Sequence, residues 1–196
     1  AISEEKKPNK TSEKQINLFK SIITKYTNKK NNYADSSTVE APLPTDISLP
    51  PNFRLLAHAR TRDPDIEAVR RYLFMRGCTE SDLWRYRFCA VSTGRFRRRA
   101  IMPSFDSCGN LNYYVARAID GDKIPKYMNP NIKKSEIIFN DIDIDWSRPI
   151  TLVEGPFDTV FAGENSICLL GSVLNESSAL FKKIVMNKEI LIYEIQ

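Results

Sequence analysis

"ITLVEGPFDTV", residues 150–160, decides how the chain is read. A short apolar run of strand character ends in a carboxylate, Glu154. Gly155 and Pro156 follow at once, and Asp158 comes two residues later. In a parallel sheet, ligands bind beyond the carboxyl ends of the strands, where helices begin. Glu154 would end such a strand, Gly155 would permit close backbone approach, and Pro156 suits the first helical position. Asp158 would then fall in the first turn of a helix, close enough to share a site with Glu154. Either both acids complement the helix dipole, or they hold a divalent cation. Mg²⁺ takes one or two carboxylates and completes its shell with water and substrate phosphates, so a true site would look this sparse.

The residues around this stretch support a parallel sheet. "ICLLG" and "EILIY" are further short apolar strands, separated by the helical "ESSALFKKIVM", and "FDTVFAG" reads as the helix after Glu154. Apolar strands spaced by helices make a parallel α/β sheet buried on both faces. Upstream, "RDPDIEAVRRYLFMRG" reads as a helix with Asp63 as N-cap, Pro64 at the first position, an Ile66–Val69–Leu73 stripe and Gly77 as its stop. "TESDLWRYRF" opens with a capping box, Thr79-x-x-Asp82. "RRAIMPSF" and "LNYYVARAI" are strands joined by the turn-forming "DSCGN", a β-hairpin. "DGDKIPKYMNPNIKKS" is a basic loop.

The expected organisation has three parts. Residues 1–50 are a polar tail and linker, with one short amphipathic helix in "INLFKSIITKY". Residues 51–149 form a basic α+β unit. Residues 150–196 begin a Rossmann-like parallel sheet, so the fold class is α/β.

Charge is unevenly spread along the 196 residues. Bases against acids number 8 to 6 in residues 1–50, 12 to 5 in 51–100, 6 to 7 in 101–150, and 3 to 6 in the remainder. All twelve bases of the second block are arginine, which pairs with phosphate in a bidentate manner and stacks on bases. An Arg-rich middle before an acidic end suits a polyanion held near a cation, against the simpler reading of a soluble basic surface. Cys78, Cys89, Cys108 and Cys168 show no CxxC spacing and His58 is the single histidine. That pattern argues against a zinc site and for reduced thiols. No apolar run approaches the roughly 18 residues of a membrane span, and no signal-peptide pattern opens the chain. No membrane partner is expected, and a cytoplasmic setting is. The first residue is Ala, which suggests a fragment or a processed product.

Two clusters compete for function. "RFRRR", Arg95 to Arg99, precedes a strand, and strand alternation would put Arg95, Arg97 and Arg99 on one face. Three guanidiniums there repel unless an anion lies over them; a solvated strand face is the alternative. Arg117 on the partner strand and Lys126 in the next loop could extend the track. "DIDIDW", Asp141 to Trp146, alternates like a half-buried strand or extended connector and stands before the first parallel strand rather than after one. It is left out of the site.

Taken in order, "RYLFMRGCTESDLWRYRFCAV", "GRFRRRAIMPSFDSCGNLNYYVARAID", "KIPKYMNP", "TLVEGPFDTV" and "LLGSVL" resemble the RNA-polymerase core of bacterial and phage DnaG-type DNA primases. The resemblance covers roughly residues 65–196 and its phrasing is closer to a phage primase. It implies that 150 onward starts a Toprim domain. It also implies synthesis of short RNA primers from ribonucleoside triphosphates on a single-stranded DNA template, with Mg²⁺ or Mn²⁺ as cofactor and a replicative helicase as a further partner. The family's basic motif falls on Arg97 and Arg99, its next arginine on Arg117, and its Lys-Tyr-x-Asn on Lys126, Tyr127 and Asn129. Arg95 joins them as a nucleic-acid-binding candidate. Its Toprim glutamate, the catalytic and metal-holding candidate, falls on Glu154, its next acid on Asp158, and structural glycines on Gly155 and Gly171.

One departure matters. The family's third Toprim strand ends in Asp-x-Asp, where this chain has Glu194 and Gln196, and glutamine is no anionic ligand. The expectation is therefore half a metal site and doubtful activity for these 196 residues alone. The alternatives are a primase-derived module that binds single-stranded DNA without chemistry, or another Toprim protein such as a primase–helicase. "RFRRR" with "KIPKYMNP" favours a primase over the Toprim nucleases.

Overall fold

A computed structural model describes residues 47–58, 62–171, 174–187 and the backbone of 192–194. The "INLFKSIITKY" segment lies outside the described residues. Helix α1 spans Pro64–Met75 and starts as its sequence dictates: the Asp63 carboxylate accepts from the backbone N–H of Asp65 at 3.0 Å and Ile66 at 3.3 Å. Ile66, Val69 and Leu73 form its buried face. It ends at Gly77, whose φ of +93° is open to glycine at little cost. Helix α2, Glu80–Arg85, carries the Thr79–Asp82 capping box in both directions.

Five strands form an antiparallel sheet in the order β1-β2-β3-β4-β5. They are β1 (Arg54–Leu55), β2 (Cys89–Ala90), β3 (Arg99–Phe105), β4 (Leu111–Ala118) and β5 (Tyr127–Met128). The β3–β4 hairpin pairs Arg99 with Ala118 through Phe105 with Leu111. Its turn is held by Asp106, whose carboxylate accepts from the N–H of Cys108 and Asn110. A second, parallel sheet has the order β7-β6-β8, from β6 (Ile150–Val153), β7 (Ser166–Cys168) and β8 (Ile192–Glu194). Helix α3, Ala179–Met186, lies between β7 and β8 in sequence and packs Leu180 and Ile184 with Ile150, Leu152 and Ile167. The central strand of this sheet is therefore the one that ends at Glu154.

The two sheets share a core. Ala100, Met102, Tyr113 and Val115 from one face of the hairpin meet Ile66, Val69 and Leu73 of α1, and Val153, Phe157, Cys168 and Leu170 from the parallel sheet. The opposite hairpin face carries a smaller cluster of Ile101, Tyr114, Ala116, Cys89, Val91 and Phe96.

Three local expectations need correction. After Glu154 there is one 3₁₀ turn, Asp158–Val160, instead of a full helix. The Thr159 carbonyl accepts from the Tyr86 and Ser166 hydroxyls at 2.8 and 2.9 Å, so it is taken from the helical ladder. Residues 95–98 form a turn, with Gly94 at φ +72° and Arg98 at φ +57°; β3 begins only at Arg99. "DIDIDW" forms a 3₁₀ turn at Asp141–Asp143 rather than a strand. Its acids are occupied. Asp141 accepts from Lys183 Nζ at 2.5 Å and Trp146 Nε1 at 2.8 Å, and Asp143 receives the Arg87 fork.

Candidate nucleic-acid and metal site

Glu154 follows directly on β6 and is exposed, and no described cation pairs with it. Asp158 is also exposed; its Oδ2 accepts from the Gly155 N–H at 3.0 Å and so closes the loop. A Cβ on Gly155 would stand 2.9 Å from that same oxygen, so glycine is what lets the carboxylate fold back. Two oxygen donors at a strand's carboxyl end fit a hard divalent cation that takes its other ligands from water and phosphate. Among the described residues no group of three or more His, Cys, Asp or Glu side chains could enclose a metal. Gly171 lies three residues beyond β7 and is exposed, and a Cβ there would meet no described atom within 4 Å.

The arginines do not act as one track. Arg97 donates to Asp65 at 2.6 Å, and Arg98 forks onto Asp120 at 2.6 and 2.8 Å. The anions that quiet this cluster belong to the protein. The Arg97 guanidinium holds the Asp65 carboxyl below the usual carboxylate range against the opposing effect of burial, and Arg98 does the same for Asp120. A depressed carboxylate stabilises the fold above its unfolded pKa and loses that contribution as pH falls through the folded value. Stability should therefore drop as pH falls below about 4, with a shallower acid-side loss in Asp65→Asn. Urea midpoints between neutral pH and pH 2 measure it, and parallel curves for the two proteins would refute the pairing.

Arg99 is 1% exposed and donates to the carbonyls of Pro125 at 2.8 Å, Lys126 at 3.3 Å and Ala116 at 3.4 Å. It braces the loop that leads into β5. Arg95 is exposed, with its guanidinium 4.9 Å from the Phe96 ring centre. Arg117 stands elsewhere. It is paired across the hairpin with Ala100, one residue out of phase with Arg99, so the sheet puts Arg99 and Arg117 on opposite faces.

Arg117 faces the acidic loop. Its guanidinium lies 5.5 Å from the Tyr127 ring centre and 5.4 Å from that of Phe157, and Nη1 donates to the Tyr127 hydroxyl at 2.7 Å. It forms no ion pair with a described carboxylate. Lys126 and Asn129 are exposed beside it, and Lys126 Nζ sits 5.9 Å from the Tyr127 ring centre. The structure thus groups Arg117, Lys126, Tyr127 and Asn129 at the β4–β5 edge, links Arg117 through Phe157 to the loop that carries Glu154 and Asp158, and sets Arg95, Arg97 and Arg99 apart. Sequence reasoning missed Phe157, Asp65 and Asp120. Phe157 carried a signal, an aromatic between two candidate acids; the two aspartates, 32 and 22 residues from their arginines, carried none.

No protein-family model matches the chain. Over 112 residues it is 31% identical to the DNA primase of Listeria innocua, a stretch covering 51% of this chain and 18% of that protein. The Listeria monocytogenes primase gives the same figures. The chain therefore matches about a fifth of these relatives' length. Among solved structures, the DnaG primase catalytic domain bound to single-stranded DNA superposes with a TM-score of 0.52 at 17% identity, covering 68% of this chain and 56% of that one. The fold is that of a DnaG-type primase core. The Aquifex aeolicus primase, comprising zinc-binding and RNA polymerase domains, superposes equally well, with a TM-score of 0.52 at 22% identity over 68% of this chain and 43% of that one. Within this primase-like fold, Phe157 joins the acidic loop to the arginine-bearing hairpin. No helix among the described residues is long and apolar enough to cross a membrane.

Proposed function

We propose that this chain is the template-gripping part of a DNA primase, together with the first part of its metal site. Residues 51–149 would be the basic subdomain and residues 150–196 the start of a Toprim domain. The observation that carries the reading is Arg117: a guanidinium with no carboxylate partner among the described residues, 5.5 and 5.4 Å from the ring centres of Tyr127 and Phe157, the latter in the loop between the exposed Glu154 and Asp158. On a primase-core fold, a cation without a described ion pair on the hairpin and exposed acids on the loop that meets it suit a phosphate chain lying between them.

The roles follow from the chemistry of each group. Arg117 and Lys126 grip phosphates of the single-stranded DNA template or of a ribonucleoside triphosphate, while Tyr127 offers a ring on which a base can stack. Glu154 and Asp158 would hold Mg²⁺ or Mn²⁺, which neutralises phosphate charge and activates a primer hydroxyl when bound. Little covalent work falls to the protein, whose share is orientation and electrostatics. The family resemblance adds a replicative helicase as partner.

Binding of the chain to labelled single-stranded DNA over a salt series, with and without Mg²⁺, tests the reading. Affinity should fall steeply with salt, and Arg117→Ala should lower the slope of log K against log salt by about one unit. Absence of binding at low salt, or an unchanged slope, would remove Arg117 from the interface.

A further inference from the structure

We infer that Phe157 is a positioning residue, clamping Arg117 so that the loop carrying Glu154 and Asp158 also orients the phosphate-gripping guanidinium. The inference rests on the primase reading above and adds a residue to it.

Two aromatic residues hold the guanidinium, one through its hydroxyl and one through its ring. Tyr127, from the antiparallel sheet, and Phe157, from the loop after β6, lie at nearly equal distances from the guanidinium, 5.5 and 5.4 Å. Arg117 Nε is buried and makes no hydrogen bond to a described residue, while Nη1 is spent on Tyr127. The hydrogen bond to Tyr127 and the ring of Phe157 limit how the planar group can turn. The two contacts differ in rigidity. Tyr127 is exposed, whereas Phe157 is 4% exposed and its ring packs at 5.8 Å on that of Phe88. Phe157 is thus the fixed contact. It lies between Glu154 and Asp158 in sequence, so a shift of the acidic loop must move the arginine's support with it. A side chain that only filled the core would not need an aromatic face; one that holds a cation does.

A double-mutant cycle on single-stranded DNA binding decides the matter. Phe157→Leu should weaken binding about 3- to 10-fold, as expected for loss of a desolvated cation–π contact, and Phe157→Tyr, which keeps the ring, should bind like the native chain. In an Arg117→Ala background, Phe157→Leu should have no further effect within about twofold, because the group it positions is gone. Additive effects, or equal losses for Leu and Tyr, would overturn the clamp while leaving the binding reading intact. A native chain that does not bind would overturn both. A second readout covers the case in which Phe157→Leu unfolds. The Arg117 Nε–H proton of the native chain should resonate upfield of the other arginines from the ring current of Phe157 and exchange slowly with water. An ordinary shift with fast exchange would overturn the clamp.

Discussion

On the proposed primase reading, Glu154→Gln is expected to cut primer synthesis at least about 100-fold while leaving the fold as it was. The substitution keeps the shape of the side chain and removes only its charge. Glu154 is exposed at the carboxyl end of the central parallel strand and has no described ion pair to lose. Stability should therefore change by no more than about 0.5 kcal/mol, the usual range for a surface site. Activity should fall by about 100-fold or more, since stabilisation of phosphate charge by a bound metal contributes several kcal/mol and each 1.36 kcal/mol is tenfold in rate. Template binding through Arg117 should survive the change, because the cation does not rest on Glu154. Primer synthesis and single-strand affinity measured on the same variant separate the two roles. Synthesis retained within about tenfold of the native rate would show Glu154 to be an ordinary end-of-strand acid.

The features legible in the sequence are those decided by neighbours along the chain. Asp63, Pro64 and Gly77 bracket α1 because capping acts within one turn. The β3–β4 hairpin was legible because Asp106 to Asn110 close on themselves. Strands β6, β7 and β8 were legible as short apolar runs between polar segments, and their parallel pairing followed from that spacing. The helix after Glu154 was misread because two hydroxyls, from Tyr86 and Ser166, compete for one carbonyl, and Tyr86 lies 73 residues away. The candidate site was legible in its residue types but not in its grouping. Identical guanidiniums at 97, 98, 99 and 117 take different partners: Asp65, Asp120, three backbone carbonyls and two aromatic rings. Only the register of the hairpin separates Arg99 from Arg117, and a turn at residues 95–98 replaces the alternation that would have aligned the others.

Phe88→Ala lowers the unfolding free energy by about 3–5 kcal/mol, the range for truncating a large aromatic in a packed core. Phe88 is 0% exposed and lies where the two sheets meet, its ring 5.8 Å from Phe157 and 6.3 Å from Tyr86. Its backbone is held on both sides: the N–H donates to the Leu83 carbonyl at 3.1 Å, and its carbonyl accepts from the Leu56 N–H at 2.8 Å. With the main chain fixed, the surrounding side chains cannot close on the space left by the ring, so the cavity cost adds to the lost burial. Natural domains hold about 5–15 kcal/mol in all, so the loss takes a large share of the total. A slope of about 1–3 kcal/mol per molar urea makes it a large midpoint shift. Met75→Ala, at a side chain 82% exposed, should move the same midpoint hardly at all. Equal shifts for the two variants would place Phe88 outside the shared core. A large shift for Phe88 alone would mean that the ring behind Phe157 belongs to the packing that joins the two sheets.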